Sequence, residues 1–403
     1  MKIRWSMLIA LLLVLCMTAA CATENIEMPE ITGFYQFEIP DNEAMTFLKE
    51  MGVGWNLGNT FDAFVDGASW YRGTEMDLET AWVGVKTSEA LIAAIHDAGF
   101  STIRVPVSWH EHVDEDFTIS EAWLSRVQEV VDYAMNQGMH VILNTHHDVY
   151  PEFYYPSNEH YETAEKYITT IWTQLAERFQ GYDHHLIFES MNEPRLKDTS
   201  NEWYYNPTSI ECQESAECIN RLNQAFVDTV RASGGNNADR YLMVPGYDAA
   251  PENAVNDVYR LPEDTADNRI IVSVHAYTPY AFALQEGGDR TFTLGTNNQT
   301  SDINRFMTSL YNTYISQGIP VVIGEFGARD KGGNLQERVN FAAYYATAAS
   351  ARNIPCCWWD NHAFTGSGEL FGLIDRKTCE WVYPQIAEAI VQHSGYDNIP
   401  AKE

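Results

Sequence analysis

Eight short apolar runs recur along the chain, each followed by a segment with helical spacing, and that alternation limits the folds open to it. The runs span 52–56, 102–107, 140–144, 186–191, 241–245, 270–275, 321–325 and 354–359. Between them apolar residues return every three or four positions. Examples are Leu91, Ile92 and Ile95, then Leu124, Val127, Val130 and Val131, then Tyr167, Ile168, Ile171 and Leu175. Leu222, Phe226 and Val230, then Phe306 and Leu310, then Phe341, Tyr344 and Tyr345 continue the pattern. Gly99 and Gly138 stand where helix C-caps are expected. Strands joined through helices run parallel, and eight of them close into a barrel. The expected fold is α/β, a single (β/α)8 TIM barrel over residues 44–395. An open doubly wound sheet should carry a glycine-rich phosphate turn after an early strand, and neither GxGxxG nor GxxxxGK occurs.

In a closed barrel the chemistry belongs at the C-terminal ends of the strands. Here those ends read GWNLGNT, TIRVPVSW, NTHHD, ESMNEPR, HAYTPY, IGEFG and CCWWDN. Arg104, His146, His147, Asn192, Glu193, His275, Tyr277, Glu325, Trp358 and Trp359 therefore collect at one rim. Glu193 and Glu325 end the fourth and seventh runs. Two carboxylates across a barrel mouth suit glycoside cleavage, in which one gives a proton to the leaving oxygen and the other attacks the anomeric carbon. Arg104 can hold the attacking group ionised. Asn192, His146 and His275 can bind sugar hydroxyls or orient the carboxylates, and a tryptophan offers a stacking face.

Together GWNLGNTFDA, TIRVPVSW, NTHHD, ESMNEP, HAYTPY, IGEFG and WWDN resemble the motifs of glycoside hydrolase family 5, the cellulase family, in its bacterial endo-β-1,4-glucanase branch. The resemblance runs from about residue 44 to about 390. It implies a retaining double displacement on β-glucans such as cellulose, mixed-linkage glucan or xyloglucan, with no metal and no organic cofactor. It makes Glu193 the acid/base and Glu325 the nucleophile, supported by Arg104, His146, Asn192, His275 and Tyr277, with Tyr277 donating to the nucleophile. Of the two adjacent tryptophans it favours Trp359 for stacking. The retaining mechanism predicts carboxyl groups about 5–5.5 Å apart.

Other readings compete at particular residues. Glu189, four positions before Glu193, shares its face and should be an interior residue met by a polar partner. Arg104 alone could be a structural ion-pair partner. His146-His147-Asp148 invites a metal, but adjacent strand residues point to opposite sides, so His147 is expected in or under the sugar groove. Asn56 is a candidate for a sugar hydroxyl. Trp109 is the best groove candidate among Trp55, Trp70, Trp82, Trp109 and Trp203. A β-mannanase can use the same barrel and glutamates, and a polysaccharide-binding protein without catalysis would need a lost carboxylate.

Net charge is −31, which repels phosphate backbones and disfavours nucleic acid while leaving a neutral sugar unaffected. The N-terminus has Lys2 and Arg4 before an apolar run from Met7 to Leu15, the pattern of a signal peptide over 1–21. Thr18-Ala19-Ala20-Cys21 resembles a lipoprotein processing site, although leucine is usual where Thr18 stands; cleavage after Ala20 or Ala22 is the alternative. The expectation is an exported monomer, a cell-surface or outer-membrane lipoprotein anchored at Cys21, or else a secreted or periplasmic protein. Residues 22–43 read as a tether or extended lead-in. Cys212 and Cys218 lie in a polar, loop-like stretch and could pair in an oxidising compartment.

Overall fold

The computed structural model describes residues 25–68 and 71–402. The signal sequence, the Cys21 site and Trp70 lie outside the described residues.

Eight parallel strands close on themselves in sequence order. They are β1 (Val53–Leu57), β2 (Thr102–Val105), β3 (His140–Asn144), β4 (Leu186–Glu189), β5 (Leu242–Pro245), β6 (Ile270–His275), β7 (Val321–Phe326) and β8 (Cys356–Asp360). Every strand residue is buried, because the barrel interior covers one face and the helical layer the other. Closure is made by β1 against β8, with Asn56 level with Trp359. Both pairings of β7 carry a register irregularity, near His275 and between Ile323 and Phe326, at the rim where Glu325 emerges.

The helices bury the stripes that the spacing predicts. In the helix Glu121–Asn136 the residues Leu124, Val127, Val130, Val131 and Ala134 face the barrel. Gly138 follows at φ 76°, a conformation open to glycine at little steric cost. The connection after β5 holds a short 3-10 turn, Tyr247–Ala249, and the four-residue helix Pro251–Ala254, and Pro384–Gln392 completes the layer after β8. The helix Glu43–Met51, capped by Asn42 accepting from the Met45 N–H at 2.8 Å, closes the opposite end of the barrel. Its Phe47 ring stacks at 3.8 Å on Tyr241, just before β5, and meets His140 at the start of β3.

Residues 25–41 run extended along the helix Leu335–Ser350. Glu27 exchanges two 2.8 Å hydrogen bonds with Gln336, the Phe34 ring lies 5.3 Å from Tyr344, and the Phe37 N–H donates to the Ala351 carbonyl at 2.8 Å. The segment thus descends the outer wall from the rim to the base.

The stretch around Cys212 and Cys218 is helix, within Ile210–Ala232, and both thiols are free and buried. Six residues along an α-helix separate two side chains by about 9 Å of rise, so this pair cannot close a disulfide. Among the described residues no helix is long and apolar enough to cross a membrane.

Candidate active site

The Arg104 guanidinium, projecting inward from β2 and fully buried, organises the rim. Its Nε donates to Glu189 Oε2 at 2.7 Å, its Nη1 to Glu325 Oε1 at 2.7 Å and Asn56 Oδ1 at 3.0 Å, and its Nη2 to Asn192 Oδ1 at 2.6 Å. A buried cation with two carboxylates and two amide oxygens on its planar fork is held in one orientation. Glu189 sits one layer down, where Ser273 Oγ at 2.5 Å and Asn144 Nδ2 at 3.1 Å also donate to it. It is an interior residue with every partner supplied by neighbouring strands.

Glu325, next to last in β7, has both oxygens engaged, Oε1 by Arg104 and Oε2 by the Tyr277 hydroxyl at 2.8 Å. Glu193 lies just past β4, its Oε1 2.7 Å from His275 Nδ1. One oxygen of each glutamate and a ring nitrogen of His275 lie within 4.8 Å of one another. Burial pushes the Glu193 carboxyl up, but the His275 hydrogen bond and charge, with Arg195 behind, outweigh it and hold the pKa at about 2. Burial likewise opposes charge on His275, and the carboxylates of Glu325 and Glu193 overcome that, raising its pKa above 6.5. The 2.7 Å contact therefore joins a carboxylate whose pKa is held low to an imidazole whose pKa is held high.

His146 is neutral, its pKa driven well down by burial. Asn144 Nδ2 lies 3.1 Å from its Nδ1, which fixes the remaining proton on Nε2. Its ring is parallel to the Trp359 indole, 1° between planes at 5.8 Å. Trp358 is fully buried, its indole N–H donating to the Phe371 carbonyl at 3.2 Å, so Trp359 is the member of the pair at the mouth. Gly58 makes room for that ring: a Cβ there would lie 2.7 Å from Trp359 Cζ2 and 2.8 Å from the Asp360 carbonyl. Gly58→Ala is expected to raise KM for an oligosaccharide roughly tenfold, about 1.4 kcal/mol of lost binding. Unchanged KM and unchanged tryptophan fluorescence would show that the indole has no such role.

Two expectations are corrected. Trp109 is fully buried, its indole N–H donating to the Asn144 carbonyl at 3.0 Å; it packs under the rim and offers no face to the groove. Asn56 is also fully buried, its amide donating to the carbonyls of Gly324, Cys357 and Trp358 while its oxygen accepts from Arg104. Its polar atoms are spent inside the protein, so it positions Arg104 and does not reach a sugar. His147 is partly open beside Phe64 and Trp82, with ring distances of 5.5 and 6.0 Å, and its ring touches His146 at 4.3 Å. The two histidines follow the end of β3, where strand alternation no longer separates them.

The sequence reading missed Arg376, whose guanidinium donates to the carbonyls of Gly58 at 2.9 Å and Asp360 at 2.6 Å and clamps the ends of β1 and β8 beneath Trp359. It also gave Arg195 no role. That side chain reaches back to the Glu193 carbonyl at 2.9 Å and pairs with Glu202 at 3.2 Å. Its position directly after the NEP triplet was the available signal.

A (β/α)8 rim that brings two carboxylates this close, under a tryptophan face and neutral hydrogen-bonding groups, defines a glycoside hydrolase. Residues 66–365 match the cellulase family, glycosyl hydrolase family 5. Endoglucanase 1 of Ruminococcus albus is 41% identical over 388 residues, covering 96% of this chain and 90% of that protein. Endoglucanase A of Clostridium longisporum is 41% identical over 357 residues; the match spans 88% of this chain and 66% of the relative's length. The structure of a family 5 lichenase from Caldicellulosiruptor sp. F32 superposes with a TM-score of 0.89 at 55% identity, over 91% of this chain and 99% of that one. A glutamate-to-glutamine mutant of the same lichenase has been solved with cellotetraose. The chain belongs to glycoside hydrolase family 5 and is an endoglucanase-type enzyme.

Proposed function

We propose that the protein cleaves β-1,4-glucosidic bonds within β-glucan chains with retention of configuration, Glu325 acting as nucleophile and Glu193 as acid/base. The observation that carries this is the asymmetry of the two carboxylates. Glu325 is gripped on both oxygens by Arg104 and Tyr277, which suits a group that must stay ionised and aimed at one carbon. Glu193 is bonded to a titrating partner, which suits a group that must exchange a proton. An oxygen–oxygen approach within 4.8 Å accords with the retaining separation of about 5–5.5 Å and falls short of the about 6.5–9.5 Å between the carboxylates of an inverting enzyme.

In the first step Glu325 bonds to the anomeric carbon while Glu193 protonates the departing oxygen. In the second, Glu193 takes a proton from water, whose oxygen displaces Glu325. The proton resides on His275 in the free site, and a sugar that seals the mouth further desolvates the Glu193 carboxylate. That favours transfer along the 2.7 Å hydrogen bond from His275 Nδ1 to Glu193 Oε1, which arms the acid. Because His275 is raised, loss of that proton with rising pH should place the alkaline limb of kcat/KM above pH 6.5. A limb below 6.5 would refute this account of the pair. Asn192, its oxygen taken by Arg104, keeps its amide hydrogens for a hydroxyl beside the reacting carbon, and Trp359 stacks on the sugar.

The lichenase relative supports placing mixed-linkage glucan first among substrates, and relatives bound to cellotetraose and cellotriose support a β-glucan oligosaccharide fit. The test is reducing-sugar release by residues 22–403 on barley β-glucan, carboxymethylcellulose, xyloglucan and glucomannan, beside Glu193→Ala and Glu325→Ala. Glutamate-dependent release from a glucan supports the proposal, with β-configured product appearing first by NMR. Release from glucomannan alone would make it a β-mannanase, and silence on all four would leave a binding protein. Export through residues 1–21, with an anchor at Cys21, completes the proposal on the strength of the N-terminal pattern alone.

A further inference from the structure

Beside the sugar mouth, Asp66 of the loop after β1 and His110 and Glu111 of the turn after β2 each offer one ligand atom, all within 4.8 Å of one another. The His110 side chain is 5% exposed. Its Nδ1 lies 2.8 Å from Asp148 Oδ1, while its Nε2 is buried with no hydrogen-bond partner and stands 3.6 Å from Asp66 Oδ1. A buried ring nitrogen without a partner is costly unless something else meets it.

One oxygen of each carboxylate is already held. The Tyr150 hydroxyl donates to Asp66 Oδ2 at 3.0 Å, and the Val65 N–H donates to Glu111 Oε2 at 2.8 Å. Asp148 Oδ1, fixed in turn by the backbone N–H groups of Trp109 and His110, holds a proton on Nδ1 and turns Nε2 toward Asp66. A carboxylate behind a histidine whose other nitrogen points at further carboxylates is the outer shell that metal-binding histidines use. The rings of Phe64, Tyr150 and Phe153, each 5.3–5.5 Å from His110, wall the place.

The other clusters lack this feature. Both oxygens of Asp62, beside His146 and His147, accept backbone N–H groups from Asn59 and Thr60. Asp183, His184 and His185 lie toward solvent, and Glu193, His275 and Glu325 are the carboxylate pair and its histidine.

We infer that His110, Asp66 and Glu111 form a divalent cation site of the zinc class, with one imidazole and two carboxylates as ligands. Ligand atoms about 2.0–2.1 Å from a tetrahedral zinc lie about 3.3 Å apart, so the 3.6 Å from Nε2 to Asp66 Oδ1 needs only a small closure. The mixed nitrogen and oxygen set favours zinc over calcium, which takes six to eight oxygens. The site includes neither Glu193 nor Glu325, so its role is to pin the rim loop after β1 to the turn after β2.

The test uses residues 22–403, stripped with EDTA, dialysed, and titrated with zinc chloride by calorimetry, with thermal melting in zinc or calcium chloride alongside. One equivalent should bind, zinc should raise Tm more than calcium, and His110→Gln and Asp66→Asn should each weaken zinc at least tenfold. His185→Ala should leave zinc binding intact. Should His110→Gln fail to fold, Asp66→Asn, at a half-exposed side chain, still decides the matter. No zinc uptake, or equal affinity in wild type and both ligand variants, would overturn the site and leave His110 as an imidazolium paired with Asp148 and Asp66.

Discussion

Glu325→Gln is expected to lower turnover by roughly a thousandfold or more, about 4 kcal/mol of transition-state stabilisation, with the barrel still folded. The amide is nearly the same size and keeps an oxygen that can accept from Arg104 or Tyr277, whose bonds now converge on this side chain at 2.7 and 2.8 Å. In the proposed mechanism it does not supply the anionic oxygen that bonds to the anomeric carbon. Arg104 retains Glu189 as a charged partner beneath it, so the buried cation is not stranded. Circular dichroism and Tm should therefore stay close to wild type while kcat on barley β-glucan collapses. If the variant kept more than about a tenth of wild-type activity, the nucleophile would have to be another group.

Glu189→Ala should have the larger effect on stability, although this side chain never meets the sugar. It is fully buried and accepts from Arg104, Ser273 and Asn144 at 2.7, 2.5 and 3.1 Å. Truncation leaves a guanidinium with one carboxylate instead of two and strands the Ser273 and Asn144 donors in the interior. Removing one member of a buried ion pair costs about 3–5 kcal/mol, a large part of the roughly 5–15 kcal/mol that holds a typical domain together. Urea denaturation should show a lower midpoint at similar slope, and Glu189→Gln, which preserves an acceptor, should lose less. A loss below about 1 kcal/mol would mean that the cluster relaxes around the gap and that Arg104 is held chiefly from the rim. Activity should fall as well, because the same guanidinium orients Glu325 and Asn192.

Sequence periodicity carried the barrel because its strands are buried on both faces and so read as continuous apolar runs. The rim was legible because charged residues are costly at the end of such a run unless they are kept for a purpose. What stayed hidden depends on neighbours distant in sequence. The carbonyls that absorb the Asn56 amide belong to Gly324, Cys357 and Trp358, brought together only by barrel closure and the irregular pairing of β7. Trp109, flanked by Ser108 and His110, has the polar surroundings of a groove residue, yet its ring turns inward to the Asn144 carbonyl. Around Cys212 the helical stripe is made of Cys212, Ser215, Ala216 and Ile219, and small or polar members disguise it beside exposed Glu211, Gln213 and Glu214. The unpartnered nitrogen of His110 is visible only in three dimensions.

The extended segment before the first helix gives residues 25 and 402 different addresses. Glu27 is tied to Gln336 at the start of a helix that leaves the rim, whereas Pro400 receives the Gln36 N–H close to where Phe37 meets Ala351 at that helix's foot. Immobilisation chemistry can exploit this. Coupling to a support through the region of residue 25 holds the enzyme by its flank, with the mouth beside the attachment plane, while coupling through residue 402 lifts the mouth away from it. For long, stiff polysaccharides those two orientations should differ in access, and for short oligosaccharides they should not. The choice of attachment point is thus also a choice of which substrates a surface-bound preparation can reach.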